Sequence, residues 1–200
     1  MNVKQLAPDQ VQSYENHGYL ILRDILTPSE TQDLQKWANE VHSWPNDQST
    51  PWMPYEEVLS DGRRVLCRTE NYADYHPGLN DLLRGPRLLS ILDQLAGEDM
   101  VLFKEKINYK LAGSGGFAPH IDATAYTHVK DIGHLTILLA VDESNMNNGG
   151  LEVVDASHAM NVPLGSDNCI TPEWVKEQMW VPVELEPGKH EGFLCRESRC

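Results

Sequence analysis

Apolar residues recur at helical spacing through the first hundred positions and at strand spacing after them, a change of period that predicts helices first and short strands later. Pro8 to His17 suits a short helix that Gly18 ends, ahead of an apolar strand, Tyr19-Leu20-Ile21-Leu22. Thr27-Pro28-Ser29-Glu30 has the form of a capping box. The Thr27 hydroxyl accepts from the third amide of the helix, the Glu30 carboxylate reaches back, and Pro28 sits where a missing N–H costs nothing. A helix to about Trp44 follows. Pro45 to Gly62, with three prolines and the paired tryptophans Trp44 and Trp52, reads as a loop, either a lid over a site or a long surface connection. Gly85-Pro86 opens another helix, with Leu88, Leu89, Ile91, Leu92 and Leu95 as its core stripe and Gly97 as its stop.

From there the period becomes two. Val101 to Leu111 alternates, with Phe103, Ile107, Tyr109 and Leu111 on one face and Lys104, Lys106, Asn108 and Lys110 on the other. Leu135 to Asp142, Gly150 to Val154 and Trp180 to Leu185 read as further strands, with turns at Asn148-Gly149 and Glu186-Pro187-Gly188. The pattern predicts one domain over residues 1–188, a helical part at about 8–97 and a β part at about 100–188. The β part reads as a sheet sandwich or barrel flanked by the helices.

Composition narrows the function. At 200 residues and 40% hydrophobic content the chain has an ordinary core for one soluble domain. Its net charge of −14 is spread over both halves, so no basic patch exists to hold nucleic acid or an anionic membrane. The longest apolar run, Leu135 to Val141, is too short to span a bilayer, and residues 1–6 lack the apolar core of a signal peptide, so a cytoplasmic location is expected. Cys67, Cys169, Cys195 and Cys200 match no zinc spacing and read as free thiols. There is no GxSxG elbow and no Walker loop, and Gly113-Ser114-Gly115-Gly116 does not open a helix that could cradle a phosphate.

Phe117-Ala118-Pro119-His120-Ile121-Asp122 is the segment richest in candidate chemistry. On an extended strand His120 and Asp122 share a face and present an imidazole nitrogen and a carboxylate oxygen to one point. With a third ligand from a distant strand this becomes the two-His, one-carboxylate site of non-haem Fe(II) oxygenases. About 0.6 such His-x-Asp pairs are expected by chance in a chain of this composition, so the pattern alone leaves two readings open. One is a metal site, which His128 or His134 could complete locally; the other is a strand-end His capped by its neighbour. His158 reads as a turn residue, and His17, His42 and His76, in the helical half, read as structural.

These residues resemble the phytanoyl-CoA dioxygenase family of Fe(II)- and 2-oxoglutarate-dependent oxygenases. The resemblance runs in order from His17-Gly18-Tyr19-Leu20-Ile21-Leu22 through Phe117 to Asp122, His134-Leu135-Thr136-Ile137 and Ala140-Val141-Asp142. It continues in Asn148 to Val154, Ser157-His158 and Glu186-Pro187-Gly188. Cys67-Arg68-Thr69-Glu70-Asn71 and Lys106-Ile107-Asn108-Tyr109-Lys110 are similar to members that hydroxylate small phosphonates. The resemblance implies an α+β, mainly β fold: a double-stranded β-helix, a cupin-like jelly roll, flanked by N-terminal helices. It implies His120 and Asp122 as iron ligands, and Lys106 or Asn108 beside 2-oxoglutarate with Arg68 approaching from the helical half. Thr136 would floor the pocket, with Leu138 either beside it or in the core. The implied activity is oxidative: 2-oxoglutarate is decarboxylated to succinate with O2, and a small organic substrate is hydroxylated at an unactivated C–H bond.

The family's second iron-binding His and its 2-oxoglutarate Arg follow the Glu-Pro-Gly turn on apolar strands, whereas residues 189–200 do not alternate and carry charges or Gly instead. They read as a divergent tail, in which His190 comes too soon after the turn to be that ligand. The expectation is therefore a C-terminally truncated relative lacking the last strands, impaired by loss of that His and Arg, with an exposed sheet edge that promotes association. A non-catalytic relative and a cupin-like metal-binding module are the alternatives.

Overall fold

A computed structural model describes residues 5–47, 49–122, 124, 133–185 and 191–196. They fall into two compact units, one made chiefly of Leu26–Asp93 with Gly97–Gly115, the other of Leu6–Ile25 with Gln94–Ala96 and Gly116–Cys200.

In the first unit, helix α2 (Pro28–His42) opens on the expected box: Glu30 N donates to Thr27 Oγ1 at 3.3 Å, and Thr27 N to Glu30 Oε2 at 2.8 Å. Arg87, in the first turn of α4 (Pro86–Ala96), donates to the same Glu30 carboxylate at 2.6 Å and ties the two helices together. Leu34, Ala38 and Val41 of α2 are buried, as are Leu79 of α3 (Pro77–Leu83) and Leu88 and Ile91 of α4, so apolar spacing dictates which faces turn inward.

Three strands, β2 (Met53–Val58), β3 (Arg64–Glu70) and β4 (Lys106–Asn108), form an antiparallel sheet in that order. Two expectations fail here. The stretch from Pro45 to Gly62 is not all loop, because Met53–Val58 pairs with β3; Pro54 lacks a ladder N–H but lies on the edge strand, where proline is tolerated. The strand expected from Val101 to Leu111 shrinks to Lys106–Asn108, the residues in register with β3, with Tyr109 N donating to Cys67 O at 2.9 Å just beyond it. Phe103 and Leu111, members of the supposed apolar face, are 52% and 41% exposed.

In the second unit α1 (Pro8–His17) ends at Gly18, whose left-handed backbone (φ 79°) lets its N–H reach Tyr14 O at 2.8 Å. Strand β1 (Tyr19–Leu22) and β5 (Leu135–Leu139) flank β8 (Gly192–Arg196) in an antiparallel sheet, and β6 (Leu151–Val154) pairs with β7 (Trp180–Val183). Short helix α5 (Pro172–Glu177) precedes β7. The two sheets meet across an apolar layer in which Val183, Leu185 and Phe193 pack with Tyr19, Ile21, Leu138 and Val153. This is the double-sheet core of a jelly roll, with no closed barrel among the described residues.

Strand β8 departs from the sequence reading, which left residues 189–200 outside the sheet. Gly192–Arg196 is its central strand, and both Phe193 and Leu194 are buried. A strand covered on both faces need not alternate, so the period-two test misses it. Buried Glu191, just before it, pairs with Arg23 just after β1. Among the described residues no helix is long and apolar enough to cross a membrane, and Cys67, Cys169 and Cys195 are free thiols; Cys200 lies outside the described residues.

Candidate functional site

The segment 117–122 is not the extended strand on which the sequence places His120 and Asp122. It is pinned where Ile170 N donates to Pro119 O at 3.2 Å, and where Thr124 N and Oγ1 donate to Ile121 O at 3.2 and 2.7 Å. His120 and Asp122 nonetheless face each other, with Nε2 3.2 Å from Oδ1, their side chains 43% and 28% exposed.

Two hydrogen bonds orient the pair. His120 Nδ1 lies 2.7 Å from Ala118 O, an acceptor only, so Nδ1 carries the proton. Thr136 Oγ1 donates to Asp122 Oδ2 at 3.3 Å, which leaves Oδ1 toward the imidazole. With Nδ1 committed, Nε2 of a neutral imidazole points a lone pair at a carboxylate lone pair. That arrangement is repulsive unless Nε2 is protonated or a cation lies between the two atoms. The donor set suits iron: two donors each about 2.1 Å from one metal at a right angle stand about 3.0 Å apart, close to the separation seen. Among the described residues no third His, Cys, Asp or Glu joins the pair. His134 is described but does not complete a group, while His128 and His190 lie outside the described residues. Thr136, expected at the pocket floor, is on β5 and acts on Asp122.

The other three residues singled out from the sequence come together in the first unit. Opposite residues of an antiparallel pair share a face, and the register sets Arg68 against both Tyr55 and Asn108, and Glu70 against Lys106. Arg68, Lys106 and Asn108 therefore lie on one face of the β2-β3-β4 sheet. Cys67, Thr69 and Ile107 occupy the other face, where Tyr109 donates to Thr69 Oγ1 at 3.2 Å. The sequence gives no role to Glu70, which is buried on the face of Arg68 and meets Nζ of Lys104, a lysine of the expected polar face, at 2.9 Å. Its signal was parity: Glu70 is two residues from Arg68 on the same strand.

The other described histidines lie among local contacts. His76 Nδ1 accepts from Leu79 N at 3.1 Å and caps α3, while Nε2 meets Glu40 at 2.9 Å and holds that carboxyl below its usual range. His17 pairs with Asp155 at 2.7 Å, His42 packs edge-on against Tyr109, and His158 sits in the short helical turn Ser157–Ala159.

Comparison with known proteins adds four findings. A 2-aminoethylphosphonate dioxygenase from the uncultured bacterium HF130_AEPn_1 is 36% identical over 182 residues, covering 90% of this chain and 69% of the relative. A methylphosphonate hydroxylase from Gimesia maris is 35% identical over 184 residues, covering 92% and 69%. The crystal structure of EctD from S. alaskensis with 2-oxoglutarate and 5-hydroxyectoine superposes with a TM-score of 0.79 at 20% identity, over 96% of this chain and 68% of that one, so the fold is shared. The family model for phytanoyl-CoA dioxygenase (PhyH) matches residues 14–192, and with the ordered motifs, the jelly-roll sheets and the His120 and Asp122 pair it places the chain in that family, whose members use Fe(II), 2-oxoglutarate and O2.

Proposed function

We propose that the chain binds Fe(II) through His120 Nε2 and Asp122 Oδ1 and, with 2-oxoglutarate and O2, hydroxylates a small organic molecule whose class is the small phosphonates. The observation that carries the reading is the pair itself: with Nδ1 turned to Ala118 O, Nε2 lies 3.2 Å from Asp122 Oδ1. The two phosphonate-acting relatives support the substrate class, and a chain of net charge −14 makes a poor host for a polyanion such as an acyl-CoA.

Bound iron would supply a Lewis-acid centre with open positions for the co-substrate and O2. The protein's own part is positional. The Ala118 carbonyl fixes the His120 tautomer and the Thr136 hydroxyl fixes the Asp122 rotamer, in the manner of partners that orient metal ligands. Within the first unit, Arg68, Lys106 and Asn108 form a polar, cationic sheet face whose chemistry suits an anionic group.

A non-catalytic relative is the second reading, favoured by the two-member donor set among the described residues. Anaerobic addition of Fe(II) and 2-oxoglutarate separates them. A weak visible charge-transfer band, lost in His120→Ala and Asp122→Ala, followed by succinate on admitting O2, is the expected result. A band without succinate leaves the metal site and removes the enzyme. Absence of both sinks the proposal for this chain.

A further inference from the structure

On the β2-β3-β4 face one carboxylate holds two cations. Glu70 is 3% exposed, and it is met by Lys104 Nζ at 2.9 Å, Arg68 Nε at 3.1 Å and the Tyr55 hydroxyl at 3.3 Å. The cluster is therefore net positive in a strongly acidic chain. The Arg68 guanidinium lies 4.2 Å from the centre of the Tyr55 ring, so its plane is set by stacking.

The Arg68 contact is unusual in one respect. Nε is buried, yet the Glu70 oxygen lies off its N–H direction, so an ion pair forms without an aligned hydrogen bond. A buried, charged N–H left in this state is the donor an incoming oxyanion satisfies, and the planar fork of Arg matches carboxylate and phosphonate oxygens alike.

We propose that Glu70 is a positioning residue that fixes Arg68 and Lys104 as a paired receptor for the oxyanion group of a ligand, either a carboxylate of 2-oxoglutarate or the phosphonate of the substrate. The choice of these two ligands rests on the function proposed above; the receptor rests on geometry. Two accounts of Glu70 give opposite signs. If it only neutralises neighbouring charge, its removal raises the local potential and tightens anion binding. If it positions the two cations, its removal weakens binding although the site becomes more positive.

Equilibrium dialysis of the full chain, without metal, against methylphosphonate and against 2-oxoglutarate reads both sources. Glu70→Gln preserves shape and removes the charge. Weaker binding of one or both anions, by roughly tenfold, is expected, and whichever is affected names the ligand. Arg68→Lys, which keeps the charge and loses the fork, weakens the same anion and carries the test if Glu70→Gln does not fold. Unchanged or tighter binding of both anions in the variants, or no binding of either by the unmodified chain at millimolar concentration, overturns the proposal. Because dialysis requires no iron, a chain that fails to bind Fe(II) would end the oxygenase reading and leave this result standing.

Discussion

Thr136 Oγ1 donates to Asp122 Oδ2 at 3.3 Å while Oδ1 of the same carboxylate stands 3.2 Å from His120 Nε2. The hydroxyl on β5 therefore decides which oxygen faces the imidazole, and a loop residue takes its orientation from the sheet.

Replacing that hydroxyl tests the relationship. Thr136→Val keeps the branched shape on the strand and releases the carboxylate, so Fe(II) or Co(II) affinity should fall about tenfold or more, with little change in melting temperature. Metal titration followed by absorbance or competition with a chelator reads the change. Equal affinity in the variant would mean that Asp122 is oriented without Thr136.

Truncation of Phe193 tests the placement of β8. The residue is 2% exposed and packs against Val183 and Leu185, so Phe193→Ala should cost about 3–5 kcal/mol, read by urea or thermal unfolding. A free, divergent tail would tolerate the change. Gly192→Ala gives a second reading, because an added Cβ would meet Ile25 Cδ1 at 2.4 Å in an already filled layer.

Acid should weaken the junction of α2 and α4. The Arg87 guanidinium, joined by the Thr27 cap, lowers the Glu30 carboxyl from 4.5 to about 2. A carboxyl depressed in the folded state stabilises above its unfolded value, and that contribution is lost as pH falls through the folded one. Thermal stability should therefore decline between about pH 4.5 and 2, and Glu30→Gln should flatten this part of the profile and cost stability at neutral pH. A variant with the same pH profile as the unmodified chain would contradict the assignment.

Gly18→Ala combines backbone and steric cost. Its φ of 79° disfavours any side chain, and a Cβ would stand 2.1 Å from His158 Nδ1. The backbone part is about 1–2 kcal/mol, and His158→Ala should recover only the steric remainder in a double-mutant cycle. Full recovery would show that the left-handed backbone carries no cost of its own.

Local chemistry was legible in the sequence, and long-range pairing was not. The Thr27 box, the Gly18 and Gly97 stops and the helix at Pro86 are written within a few residues, because caps depend on neighbours only. Strand β2 was hidden by Pro54, whose tolerance depends on the strand being an edge, and edge position is a property of the sheet. Alternation over 101–111 was real but formed a paired strand only at 106–108. The candidate ligands were visible as a pair, yet their support came from Ala118 and Thr136, and no spacing rule links Thr136 to Asp122 fourteen positions earlier. Arg68 stood out as a cation; Glu70 beneath it did not, because burial of a carboxylate shows only in three dimensions.

The central place of Gly192–Arg196 also sets the order in which the second unit can assemble. Tyr19 pairs with Cys195, roughly 175 residues downstream, and β5 meets the same strand from the other side, so neither edge has its partner until almost the whole described chain has been made. During synthesis β1 leaves the ribosome well before β8 and waits as an apolar segment without its ladder partner. Folding of this half should then be slow, governed by closure of the longest loops, while the α2, α3 and α4 helices form on local contacts well before it.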